Sequence, residues 1–183
     1  MENEKNHLVD AADAGGTPAG SAVEMNQLVL PTHANALGTV FGGQIMAWID
    51  ICAALAAMKH SRLSCVTASM DALDFMLPVR LGDVVNLKAM VNYVGRTSME
   101  VGVRVEAGDP TGDSLNHAAS AYLTFVALGA DGRPQTVRPL VLATKAERLR
   151  AEEGAVRRQQ RLTLATERRR LGAEHDANGR VQT

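Results

Sequence analysis

Aromatic residues are scarce in this chain, with one Trp, two Tyr and three Phe among 183 residues. Its interior must therefore rest on Val, Leu, Met and Ala rather than on packed rings. Cysteine is nearly absent as well. Cys52 and Cys65 lie in apolar segments without metal-ligand spacing, which excludes a disulfide framework and leaves two reduced, buried thiols as the expectation. No run approaches the ~20 apolar residues that a membrane helix needs. The first residues lack the basic-then-apolar pattern of a secretory signal, so a cytoplasmic location is expected. Net charge is only -1, which argues against a nucleic-acid or membrane-surface protein. Several catalytic signatures are missing too: GxSxG, GxxxxGK[ST], HExxH and CxxC do not occur.

What is present divides unevenly. Residues 1–141 hold 9 Lys/Arg against 14 Asp/Glu, and residues 142–183 hold 10 against 6. An acidic body thus precedes a basic tail. Residues 1–23 are small and polar and are expected to form a disordered leader. Residues 24–141 form one domain of ordinary size, residues 142–171 a basic surface helix, and residues 172–183 a disordered tail. In the basic segment Leu142, Leu149 and Val156 recur every seven residues between charges, and Gly154 interrupts that thin stripe. It should pack on the domain or on a neighbouring subunit. The Arg168-Arg169-Arg170 run is the only support for a nucleic-acid contact, and such runs are usually solvated faces.

The body begins with a short strand over Glu24–Leu30, ended by Pro31. Phe41 to His60 reads as the main helix, apolar almost all round, which has to be wrapped. Strand-like runs follow at Ser64–Phe75, Val84–Val94, Ser98–Ala107 and Asn116–Leu128, with Pro78, Gly95 and Gly108–Gly112 among the turn signals. The third run alternates cleanly, Met99, Val101, Val103 and Val105 on one face against Glu100, Arg104 and Glu106 on the other. One helix followed by four closely connected strands implies an α+β fold, an antiparallel sheet around a central helix, for which the hotdog fold is the candidate. One helix cannot cover such a sheet alone, so a dimer joined edge to edge is expected.

The stretch His33–Asp50, HANALGTVFGGQIMAWID, carries the chemistry worth weighing. Asp50 sits among apolar helix positions, and burying a lone carboxylate costs several kcal/mol unless it is hydrogen-bonded or lines a cleft. A desolvated carboxylate is a good general base; equally, Asp50 meets solvent or pairs with Lys59 or Arg62. Asn35 orients a ligand or makes local backbone bonds. Gly42 and Gly43 either permit close packing or present helix N-terminal amides to a developing oxyanion. Gly95-Arg96-Thr97-Ser98 suits phosphate, or is a plain turn between strands. His33 reads as a loop-shaping residue and His117 as a packing one.

Taken together in order and spacing, HANALGTVFGGQIMAWID, CVTASMDALDF, GDVVNLKAMVNYVGRTSMEV and AYLTFVAL resemble the hotdog acyl-CoA thioesterases, over roughly Met25 to Pro139. The closest flavour is that of the cytosolic acyl-CoA hydrolase and brown-fat-inducible thioesterase. The resemblance implies hydrolysis of acyl-CoA to free acid and coenzyme A, with Asp50 as general base or nucleophile. It implies Asn35 of the partner subunit opposite Asp50, and an amide of Gly42 or Gly43 at the oxyanion. Gly95, Arg96, Thr97 and Ser98 would lie along the coenzyme A. It further implies no metal or cofactor, and a homodimer with shared sites that assembles as a hexamer, a trimer of dimers. Two other readings accompany it. One is an acyl-thioester dehydratase or hydratase, which would want a His beside Asp50. The other is an acyl-CoA-binding regulatory module.

Overall fold

The structure is a computed structural model that describes residues 16–179, with side chains through residue 172. It contains a short helix α1 (Pro18–Ser21), strand β1 (Val23–Leu28), a 3-10 turn (Pro31–His33) and helix α2 (Gly42–Ser61). Strands β2 (Ser64–Phe75), β3 (Val84–Val94), β4 (Ser98–Gly108) and β5 (Asn116–Leu128) follow, and helix α3 (Lys145–Gly179) comes last. The strands form one antiparallel sheet in the order β1-β3-β4-β5-β2. This is the hotdog arrangement: the sheet curls around α2, which touches all five strands.

Period-two alternation builds the inner face. Val85, Leu87, Ala89 and Val91 of β3 lie beside Val101, Val103, Val105 and Ala107 of β4, and these beside Ala119, Ala121 and Leu123 of β5. All are buried, and Ile45, Trp48, Ile49, Cys52, Ala53, Ala56 and Ala57 of α2 pack onto them. Small residues on α2 let the helix approach the sheet closely where aromatics are few. Burial pushes the Cys52 thiol up to about 11, while Cys65 is half-buried.

Three expectations shift. Residues 16–22, assigned to a disordered leader, are packed: the Gly16 amide donates to the Pro139 carbonyl, and the buried Ser21 hydroxyl accepts from the Val91 amide. Residues 1–15 lie outside the described residues. The helix continues to Gly179, into the segment expected to be a disordered tail. Finally, α2 is not wrapped all round by its own chain. Ile51, Leu55 and Met58 are 36–52% exposed along one side of it.

The outer face of the sheet is covered in part by α3, and the contact is polar. Glu100, 2% exposed, takes the Nε and Nη2 of Arg157 at 3.0 and 2.7 Å, and that guanidinium lies 3.8 Å above the Tyr122 ring. Arg161 pairs with Asp71 of β2. Gly154 marks a close approach: a Cβ there would sit 2.8 Å from Tyr93 Cβ and 3.0 Å from Glu100 Oε1. Leu149 and Val156, expected to be the packing stripe, instead stay more than half exposed, because the helix docks through its small and basic side.

Candidate functional site

Asp50 projects from the middle of α2 and is half-buried. Its Oδ1 accepts a hydrogen bond of 2.6 Å from the hydroxyl of Thr67 on β2. Neither Lys59 nor Arg62 pairs with it; Lys59 donates instead to the Ala22 carbonyl. The acid is therefore positioned by a neutral donor at the border between the packed side of α2 and its exposed apolar side. Such a carboxylate keeps one oxygen and the remaining lone pairs available for a water or a reacting carbonyl.

Thr67 did not figure among the sequence candidates. Its signal was faint: one hydroxyl in an alternating run, seventeen residues after Asp50. Whether that hydroxyl faces inward depends on the strand register, which is irregular there. Pairing with β5 shifts between Thr67 and Ser69 and again between Met70 and Ala72. Thr67 stands opposite Phe125, on the inner face.

Asn35 lies in the loop before α2 and shapes that loop. Its Oδ1 accepts from the amides of Leu37 and Thr39, at 2.9 and 3.3 Å, and its Nδ2 donates to the Thr39 hydroxyl. The local bonding that competes with a ligand role is thus present, with one Nδ2 proton left over. Gly38, with φ of 73°, closes the turn. His33 supports the same loop: its Nδ1 accepts from the Leu30 amide, and its ring meets Trp48 edge-on at 5.1 Å. That is the loop-shaping role expected of it. His117 bonds the Ala119 carbonyl and the Ser120 hydroxyl, away from Asp50.

Gly42 and Gly43 open α2, where no side chain caps the helix. The first amide in the helical ladder is that of Gln44, so the glycine amides precede it at the positive end of the helix dipole. A Cβ at Gly43 would meet the Phe41 ring at 2.5 Å, whereas one at Gly42 meets only ordinary contact with Phe75. Beside Gly42 runs a cleft of about 310 Å³ bounded by Thr39, Val40, Ile45 and residues 75–79.

Gly95–Ser98 forms the β3–β4 turn, with the Gly95 amide bonded to the Ser98 carbonyl. Arg96 is exposed and lines a groove of about 710 Å³ together with Val137, Leu140, Leu142 and Arg148. The Val137 amide donates to the Arg96 carbonyl of this turn, and the adjacent Arg138 bonds the backbone of His60, at the far end of α2 from Gly42. Within one chain, then, the sequence candidates fall into three places: the Asn35 loop with the Gly42–Gly43 start of α2, Asp50 with Thr67, and the Gly95–Ser98 turn. No hydrogen bond joins them among the described residues. No helix among those residues is long and apolar enough to cross a membrane.

Comparison with known proteins places this architecture. Residues 37–113 match the family model of the thioesterase superfamily. An acyl-CoA hydrolase from Staphylococcus aureus, solved with butyryl coenzyme A, coenzyme A and coenzyme A disulfide, is 35% identical with a TM-score of 0.80, covering 86% of this chain and 96% of that one. The same hydrolase has also been solved as alanine variants of one asparagine, one aspartate and one threonine. A hexameric acyl-CoA thioesterase is 37% identical with a TM-score of 0.78, covering 82% of this chain and 97% of that one. Mouse acyl-coenzyme A thioesterase 11 is 37% identical over 151 residues, 82% of this chain but 25% of the mouse protein. The chain thus spans between about a quarter and 37% of the length of the mammalian relatives it matches. It belongs to the thioesterase superfamily, alongside acyl-CoA hydrolases that share its hotdog fold.

Proposed function

We propose that the chain hydrolyses acyl-CoA to a free carboxylic acid and coenzyme A, with Asp50 as general base or nucleophile and Thr67 holding it. The observation that carries this reading is the spacing of three residues. Asn35 and Asp50 are fifteen apart and Asp50 and Thr67 seventeen apart, the separations of the asparagine, aspartate and threonine replaced in the S. aureus hydrolase. In this chain the last two are also hydrogen-bonded.

The chemistry follows from the groups. Asp50 takes a proton from water as it attacks the thioester carbonyl, or attacks the carbonyl itself. The carbonyl oxygen gains charge as it becomes tetrahedral, and an amide of Gly42 or Gly43 at the uncapped helix end suits that charge. Collapse of the intermediate expels the coenzyme A thiolate, which is a better leaving group than an alkoxide. Where Asp50 itself attacked, the acyl–Asp50 anhydride left behind is hydrolysed by water to the free acid. The hydrolysis needs no metal or cofactor, because the coenzyme A arrives as part of the substrate. Gly95, Arg96, Thr97 and Ser98 are assigned to coenzyme A, with Arg96 the charged contact for phosphate.

Because Asn35 and Asp50 do not meet within one chain, the site is assigned to a homodimer, Asn35 of one copy facing Asp50 of the other. Two features support this. β2 is a sheet edge, and beside it α2 exposes Ile51, Leu55 and Met58. An unpaired edge and a contiguous apolar face are what a second copy covers. Assembly of dimers into a hexamer, and a cytoplasmic location, belong to the same proposal. The test is thiol release from acyl-CoAs of increasing chain length. Asp50→Ala should lose at least about a hundredfold in kcat with the fold intact; near-normal turnover by that variant would sink the mechanism.

A further inference from the structure

Thr67 sits on a strand that its own sheet holds from one side only. β2 is an edge strand with one hydrogen-bonded neighbour, and its register against β5 shifts twice within six residues. At each shift one residue, Ala68 and then Asp71, has no partner on β5. These insertions decide which way the neighbouring side chains point. Thr67 faces inward opposite Phe125, Ser69 outward opposite Thr124, and Met70 inward again opposite Leu123. A side chain faces the right way only while the extra residues stay where they are, since a one-residue slip reverses the strand's faces.

Asp71, the second extra residue, is pinned from both sides. Its Oδ1 accepts from the Ser69 hydroxyl at 2.9 Å, and its Oδ2 pairs with Nη1 of Arg161 on α3. Both side chains are largely enclosed, 14% and 23% exposed. Arg161 comes from a rigid support: Arg157, one helical turn earlier, is fixed by the buried Glu100. We propose that Arg161, acting through Asp71, is a positioning residue that keeps the bulged segment of β2 in register and so holds the Thr67 hydroxyl against Asp50. The C-terminal helix thereby sets the geometry of the catalytic pair. This rests on the hydrolase reading above.

A double-mutant cycle on the full chain separates positioning from simple packing. Thiol release is measured for the wild type, Arg161→Gln, Thr67→Val and the double variant, with unfolding midpoints recorded beside the kinetics. If Arg161 acts through Thr67, each single change lowers kcat by about tenfold or more, the scale of losing one hydrogen bond to a carboxylate. The double variant is then no slower than Thr67→Val alone, within about twofold, because coupled residues are not additive. Arg161→Lys restores part of the rate. Asp71→Asn, which keeps the side-chain shape, gives the same pattern if Arg161→Gln folds poorly. Losses that multiply in the double variant would overturn the positioning, as would an Arg161→Gln protein with wild-type kcat and only a lower midpoint. A wild type that releases no thiol from any acyl-CoA would instead overturn the hydrolase reading, and the positioning with it.

Discussion

Replacing Arg157 by Met should destabilise this protein far beyond the loss of an ordinary surface ion pair. An exposed pair contributes under about 1 kcal/mol. Here the carboxylate of Glu100 is 2% exposed and both its oxygens are taken by Arg157, itself 21% exposed and stacked 3.8 Å above Tyr122. Methionine fills much of the volume of the arginine stem, yet it leaves Glu100 buried without a partner. Breaking a buried pair in this way costs about 3–5 kcal/mol. With a urea slope of about 2 kcal/mol/M, a loss of about 4 kcal/mol lowers the unfolding midpoint by about 2 M. The assay is urea unfolding at one fixed protein concentration, since association also adds to apparent stability. The companion is Glu100→Met with Arg157→Met, which removes both charges. That double variant should recover most of the loss, because apolar replacement of a buried pair is often neutral or stabilising. A single variant within about 0.3 M of the wild-type midpoint, or a double variant as weak as the single, would refute the claim that α3 is fastened by a buried charge pair.

Gly154→Ala should loosen α3 although alanine favours helix by about 1 kcal/mol, because the new Cβ meets Tyr93 Cβ at 2.8 Å and Glu100 Oε1 at 3.0 Å; faster tryptic cleavage within residues 145–172 checks it. His60 is fully buried, with Nε2 donating to the Arg138 carbonyl at 3.1 Å and Nδ1 left without a partner, and burial lowers its pKa. The unfolded chain therefore binds the proton first as pH falls below about 6.5, and stability present above that pH should decline by up to about 1.4 kcal/mol per unit below it. In His60→Gln that part of the decline should vanish, measured as urea midpoints at pH 7.5 and 5.5. Mixing inactive Asn35→Ala and Asp50→Ala subunits should restore about a quarter of wild-type activity if each site draws on two copies, whereas sites complete within one chain would restore none.

The strands and α2 were legible because their determinants are local. Alternation of Met99, Val101, Val103 and Val105 marks a half-buried strand wherever it is placed, and the structure puts those residues inside. For Glu100 the pattern gives the face and nothing more. Alternation puts it opposite the valines, where it does point outward, and α3 lies over that position. Nothing in β4 announces a helix that arrives fifty-seven residues later. Gly154 has the same limit. The sequence shows it only as an interruption of an apolar stripe, whereas in the fold it lets helix and sheet come close.

The candidate site divides along the same line. Asn35, Gly42, Gly43 and Asp50 lie in one continuous stretch, so turn chemistry, a bare helix start and an isolated acid could be weighed together. Thr67 could not join them, since its inward direction depends on bulges that leave no composition signature. Those bulges are held by a contact across ninety residues, Asp71 to Arg161. Period-two reasoning gives the face of a strand residue only after the register is known. On an edge strand that register is supplied by whatever packs against it, and here that is the basic helix. A segment that composition assigned to a solvated surface is thus the part that fixes the direction of the hydroxyl beside Asp50.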